Sequence, residues 1–353
     1  MSVVPLTTAE LDNISYAALD YYINRGDVMS QSIQDKPLFA AMDKASKTFP
    51  GGKGGVDLAV KGVYTTTVAG YNAADTVAYT NPANIKRANY TWKEHHAGLA
   101  ITLTELKNDG ISITDSAIPG DSAKKLSGRD KTVLVNLLDD KLEDLAEGYA
   151  RGMNTFLYGD GTADAKAIAG IQTIIKDAPG SAGTIGGIDH VANTWWRNRS
   201  VDNIATTTGG TELTDLMHSE IRQLRKFGGK PSIAVCGSDF LDRLASELRS
   251  KGNYTQTGFS GKQDISMGEI HYQGIQFQYD PTLDDLTITG KVPTHRCYII
   301  DPSKLYLSYM EGEKMKKHSP ARPHTSYVFY KAITTTAVLC ASQVNCHGVY
   351  EIA

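Results

Sequence analysis

Long hydrophobic runs are missing from this sequence. No window approaches the roughly 18 consecutive apolar residues that a helix needs to cross a bilayer, which excludes a helical membrane span. The opening residues MSVVPLTTAELDN carry neither the basic cluster nor the apolar core of a secretory leader, so synthesis and residence in a cytoplasm are expected. Cysteine is scarce. Cys236, Cys297, Cys340 and Cys346 include no Cys-x-x-Cys pair, and scattered buried thiols fit better than a disulfide framework or a zinc site. Neither sign of charge dominates: 36 Lys and Arg stand against 39 Asp and Glu, for a net charge of −3. Nothing in that balance draws the whole chain to nucleic acid or to an anionic membrane.

What is present is enough for an ordered protein. Of 353 residues 41% are hydrophobic and 21% charged, so the chain can bury a sizeable core as one large or two ordinary domains. The 33 glycines and 18 tyrosines predict many turns and strands around few helices. The strongest periodic signal runs from Arg129 to Tyr158. Leu134, Leu138, Leu142, Leu145, Tyr149, Met153 and Phe156 recur there at helical spacing. Asp140, Asp144, Glu147 and Arg151 fall opposite, with Glu147 placed to support Arg151 one turn on. Ser127 and Asp130 suit its start, and Gly159-Asp160-Gly161 its stop. Such a helix would span roughly 45 Å at about 1.5 Å per residue.

In chain order, residues 1–50 read as an arm, with a helix carrying Leu11, Ile14, Tyr16, Leu19 and Tyr22. A second weak piece, Leu38 to Phe49, follows the interrupting Pro37. Neither piece folds alone, so both need another surface. From Gly51 to Leu106 the pattern is strand-like: GVDLAVKGVYTTTV is answered by RANYTWKEHHAGLAITLTEL, with the polar tip AGYNAADTVAYTNPANIK between. Each arm would run about 14 residues, and so polar a ribbon needs a partner surface. After the long helix come Trp195-Trp196, a helix Glu212 to Phe227, the buried strand PSIAVCG and a helix Phe240 to Lys251. Short strands are expected at 269–280, 286–289 and 296–301, then a tail of strands dominated by YKAITTTAVLCASQV. The sequential mixture predicts an α+β fold.

No motif assembles a catalytic, cofactor or metal site. GGKGG (Gly51 to Gly55) lacks the phosphate-loop spacer, and Val56 stands where Ser or Thr would hold magnesium. GDGTAD lacks most calcium-loop ligands, and adjacent His95 and His96 on a strand point to opposite faces, which suits solvated or partner-facing side chains. CGSDF and GFSG both break the nucleophile elbow at its last position. Trp195-Trp196-Arg197 has no basic cluster around it and reads as aromatic packing in a loop. The carboxylates Asp139, Asp140, Glu143, Asp144 and Glu147 share the solvated side of the long helix.

The order of parts carries a resemblance. ITLTEL (Ile101 to Leu106) closes the hairpin and the long helix follows. Then come YGDG…AGIQTII (Tyr158 to Ile175), WWRN (Trp195 to Asn198), FGGKPSIAVCGSDFLDRL, and a terminal strand followed by HGVYEI. Together they resemble the major capsid protein of tailed bacteriophages, the HK-97-type fold. The resemblance implies an N-terminal arm (1–50), an extended hairpin or E-loop with its base (51–106) and a P domain with a spine helix (107–175). An A domain (176–305) and a returning P-domain strand with the C-terminal segment (306–353) would complete it. It further implies a non-enzymatic coat protein forming hexamers and pentamers of an icosahedral head around double-stranded DNA. Assembly would take place in the bacterial host cytoplasm and the product would reside in the virion. Implied partners are further copies of the chain, a scaffolding protein (separate or already removed), a portal, non-specifically contacted DNA and a decoration protein, with no membrane. Inter-subunit contacts are expected in the arm at Leu6, Leu11, Tyr16 and Tyr22, and around the hairpin at Tyr71, Asn72, Tyr79, Asn81, Ile85 and Trp92. No signature selects Lys53, Lys61 or Lys93 for the lysine cross-link of some relatives. Two other readings stay open: an encapsulin-like nanocompartment shell, and an α+β enzyme with dispersed site residues.

Overall fold

A computed structural model describes residues 6–7, 36–51, 53–64, 66–76, 79, 84–102, 104, 113–114, 141, 145–162, 164–207, 210–250, 270–318 and 328–353. The first elements are β1 (Leu6–Thr7), α1 (Pro37–Lys44), β2 (Lys47–Phe49), β3 (Gly55–Lys61), β4 (Ile85–Thr91), β5 (Lys93–Thr102) and β6 (Ile113–Thr114). Then follow α2 (145–158), α3 (Ile171–Ile174), β7 (Thr184–Ile185), β8 (Ile188–Asp189), β9 (Arg199–Ile204) and α4 (Glu212–Arg225). Next are β10 (Ile233–Cys236), α5 (Ser238–Ser250), β11 (Ile270–Tyr272), β12 (Ile275–Tyr279) and α6 (Pro281–Asp285). The chain closes with β13 (Arg296–Ile300), β14 (Leu305–Met310), β15 (Lys316–His318), β16 (Val328–Ala341) and β17 (Gly348–Ile352).

β16 is the axis of the first sheet. Its β-branched run lets it lie between neighbours on both edges. On one edge it pairs with β5 from Val328↔Thr102 to Ala337↔Lys93; on the other it takes β15 and then β14, with β2 parallel to β14 outside. α2 packs through Tyr149, Ala150, Met153, Leu157 and Tyr158, and the Tyr149 hydroxyl donates to Thr335 Oγ1 at 2.9 Å. The buried stripe is turned slightly from the expected one, since Leu145 and Phe156 are only half-buried. The first half of the long helix, 129–144, lies outside the described residues apart from residue 141. Glu147 pairs with Arg151 at 3.0 Å, as its spacing predicts, and also with Lys36 at 2.8 Å.

Pro37 does not interrupt a helix; it opens one. Its missing N–H costs nothing at the first helical position, and α1 then buries Leu38, Phe39, Ala41 and Met42 in the main core. The surface that this piece needs is therefore supplied by its own chain. Pro281 likewise opens α6, behind Asp280, whose side chain caps Thr282 N–H at 3.0 Å. Residues 286–289, expected as a strand, are irregular.

The second sheet has six strands in the order β11-β12-β10-β13-β17-β9. α4 and α5 cover it with Leu213, Met217, Ile221, Leu224, Phe240 and Leu244. Val235, Tyr298, Ile300 and Val349 reach from this sheet into the cluster that holds Leu305, Leu307, Leu339 and α1, so the two sheets share a core.

Candidate assembly interface

The hairpin is held at its base, and the described residues of its tip are exposed. β3 and β4 form an antiparallel ladder from Gly55↔Thr91 to Lys61↔Ile85. Alternation sets its faces: Val56, Val60, Ala88 and Tyr90 are buried, while Asp57 and Lys61 are exposed. Tyr90 anchors the inner face, its hydroxyl donating to Ala341 O at 3.1 Å, and Asn89 N–H reaches Gly186 O at 2.9 Å. Trp196, almost fully buried, fixes the neighbouring loop by donating from Nε1 to Ile185 O at 3.0 Å. Trp195 stands edge-on to Trp196, with ring centroids 5.6 Å apart, and lies over Gly62. A Cβ on Gly62 would sit 2.7 Å from the Trp195 ring, so only glycine lets the indole close over the last ladder position. The Trp-Trp pair is thus loop packing, as expected, and it supports the hairpin.

The expected pairing partner of β3 was only half right. β4 answers it, but after Trp92 the chain leaves the ribbon and β5 joins the β16 sheet. His95 consequently turns inward against Phe156 and accepts Ile168 N–H at Nε2 (3.2 Å), while His96 is exposed. Burial lowers the His95 pKa.

The ladder stops at Lys61 and Ile85, half the expected arm length. In the intervening loop Asn84 Nδ2 donates to Val63 O at 3.0 Å, and Asn72 N–H donates to Asp75 Oδ2 at 2.7 Å in a local turn. Its apolar side chains face water: Val68 is 100% exposed, Tyr79 95%, Tyr64 75% and Tyr71 72%. With Val63 and Ile85 they make six of the ten exposed large hydrophobics among the described residues, so apolar exposure is concentrated on this one element.

The expected contact residues divide as follows. Tyr71, Tyr79 and Ile85 are exposed on the tip or its edge, and Asn72 sits in the exposed turn. Trp92 is half-buried against the chain's own core. Leu6 belongs to β1, which pairs with β6 through Leu6↔Ile113. Leu11, Tyr16, Tyr22 and Asn81 lie outside the described residues. Val63, Tyr64 and Val68 were missed as surface residues. In sequence they continue the β-rich run of β3, and only Gly62 hints that the ladder ends.

The buried polar groups act as fasteners. Asp280, fully buried, accepts from Tyr158 Oη at 2.8 Å, Asn154 Nδ2 at 3.1 Å and Thr282 N–H; Asn154 Oδ1 in turn accepts Phe39 N–H at 3.1 Å. One carboxylate thereby ties α2, α1 and α6 together. The Cys346–His347 pair looks reactive by composition but is wired against it. His347 Nδ1 accepts Asp301 N–H at 3.2 Å, so the neutral ring carries its proton on Nε2, 3.5 Å from Cys346 Sγ, and cannot take the thiol's proton. Burial pushes that thiol up to about 12. Among the described residues no His, Cys, Asp and Glu group could hold a metal ion, and no helix is long and apolar enough to cross a membrane.

No family model and no curated protein matches the chain. Solved structures do. A chain of the cyanophage A-1(L) capsid asymmetric unit superposes with a TM-score of 0.57 at 16% identity, covering 90% of this chain and 92% of that one. A chain of Microbacterium phage Oxtober96 gives 0.52 at 13% identity, covering 89% and 91%. The capsid of a native GTA particle gives 0.51 at 16% identity, covering 89% and 90%.

Proposed function

We propose that this chain, whose α+β fold is the HK-97-type fold of phage capsid subunits, is the major capsid protein of a tailed-phage particle. Copies of it assemble into hexamers and pentamers of an icosahedral shell around double-stranded DNA. The observation that carries the reading is the hairpin, with a base riveted to the core and a tip whose described apolar side chains stand largely exposed. Exposed valines and tyrosines in such numbers are stabilised only by burial against another surface, and in a shell of identical subunits that surface is a neighbouring copy.

In this reading residues 1–50 are the arm, 51–106 the E-loop and its base, 107–175 and 306–353 the P domain with its C-terminal segment, and 176–305 the A domain. Tyr71, Asn72, Tyr79, Asn81 and Ile85 make the overlap, joined by Tyr64 and Val68, and the arm positions Leu6, Leu11, Tyr16 and Tyr22 reach a neighbour. A net charge of −3 suits a wall that contacts packaged DNA without gripping it. Assembly in the host cytoplasm with a scaffolding protein and a portal, and binding of a decoration protein outside, complete the proposal. The chain needs no catalysis for this role.

Deleting residues 72–81 tests it. The variant should remain soluble and folded, with unfolding cooperativity like that of the intact chain, yet form no closed particles by electron microscopy. Normal particles from the deletion would remove the tip from the interface.

A further inference from the structure

At the centre of the six-stranded sheet two thiols face each other. Cys236 of β10 is register partner to Cys297 of β13, their Sγ atoms are 3.2 Å apart, and both are fully buried. The pair occupies a non-hydrogen-bonded position of the ladder, because the neighbouring Gly237 N–H donates to Arg296 O at 2.9 Å. At such positions opposed Cα atoms approach to about 4.5 Å, inside the range of about 4.4–6.8 Å that a disulfide spans. The sulfurs need only close to about 2.05 Å, a movement of side chains and not of strands. Phe240, Leu244, Ile299 and Tyr350 belong to the same buried apolar cluster.

We propose that Cys236 and Cys297 are an oxidation site: a hydroperoxide converts the folded dithiol into an intra-subunit cross-strand disulfide. One thiolate attacks a peroxide oxygen, breaking the O–O bond and giving a sulfenic acid and, after protonation, one water (or an alcohol). The second thiolate attacks the sulfenyl sulfur, forms the S–S bond and expels hydroxide, which leaves as water with the second thiol proton. Two thiols and one hydrogen peroxide become one disulfide and two waters, with two electrons passing from sulfur to oxygen. Burial holds the Cys297 thiol well above its usual range, which makes the first step slow and keeps the pair reduced until peroxide persists. The bond would join positions 61 residues apart and clamp β10 to β13. This inference concerns the single subunit and does not depend on assembly.

The test treats the native full-length chain with hydrogen peroxide, quenches, denatures and alkylates, then maps peptides by mass spectrometry. Alkylatable thiols should fall from four to two, and a linked Cys236–Cys297 peptide should appear. Thermal unfolding should rise by at least about 5 °C and return on reduction. Cys340→Ala should leave the linkage intact, and Cys297→Ala should abolish it. The proposal is overturned if the bond joins other cysteines or other chains, if oxidation ends at sulfinic acid without a bond, or if linkage requires prior unfolding. Should Cys297→Ala fail to fold, the peptide map of the unsubstituted chain decides.

Discussion

His347 shows most directly how one buried side chain makes the fold sensitive to its surroundings. Burial in the shared core lowers its pKa from 6.5 to about 4, against the opposing pull of Asp301. The unfolded chain therefore binds this proton at higher pH than the folded one. Stability is complete above pH 6.5 and is lost as pH falls toward about 4, on the order of 3 kcal/mol from this residue alone. Denaturant midpoints measured from pH 7.5 to 4 should fall accordingly, and His347→Gln should flatten that part of the profile. An unchanged slope in the variant would assign the pH dependence elsewhere. Asp280 is the second residue on which much depends. Asp280→Ala leaves Tyr158 Oη and Thr282 N–H without their acceptor inside the core, and Asn154 Nδ2 with Thr282 Oγ1 alone, and should cost about 2–4 kcal/mol in chemical denaturation. A loss below about 0.5 kcal/mol would mean that water replaces the carboxylate. Neither residue was legible in sequence. Asp280 carries no local signal, since a buried acceptor is recognised by partners more than 100 positions away. Trp196 and the four buried thiols were legible, because residue type alone favours their burial.

Among elements, those with a clean internal period were readable. The amphipathic helices α4 and α5, the apolar strand β10 and the long β-branched β16 all lie where their patterns place them. Elements whose identity depends on a partner were not. The run from Arg87 to Thr102 reads as one long strand, yet Trp92 divides it between two sheets, and no local signal tells which strand each half will meet. Gly62 marks where the ladder yields to the free tip, and its role is steric. Gly62→Val should drive Trp195 from its seat, cost about 1–3 kcal/mol and alter tryptophan fluorescence. A variant with unchanged stability and emission would show that the base does not depend on that close approach.

For the whole molecule, the α+β class and the order of hairpin, helix and returning strand followed from sequence. The sharing of one core by two sheets did not, since Val235, Tyr298 and Leu339 meet only through the tertiary fold. In the proposed shell this subunit is incomplete alone, and its exposed hairpin is completed by copies of itself. The most direct test is to produce the intact chain in a bacterial cytoplasm, then examine it by analytical ultracentrifugation beside negative-stain electron microscopy. Capsomer-sized rings or closed shells are expected, with residues 62–84 protected from protease only in the assembled fraction. A monomer that persists at micromolar concentration with the same loop already protected would contradict the proposed shell.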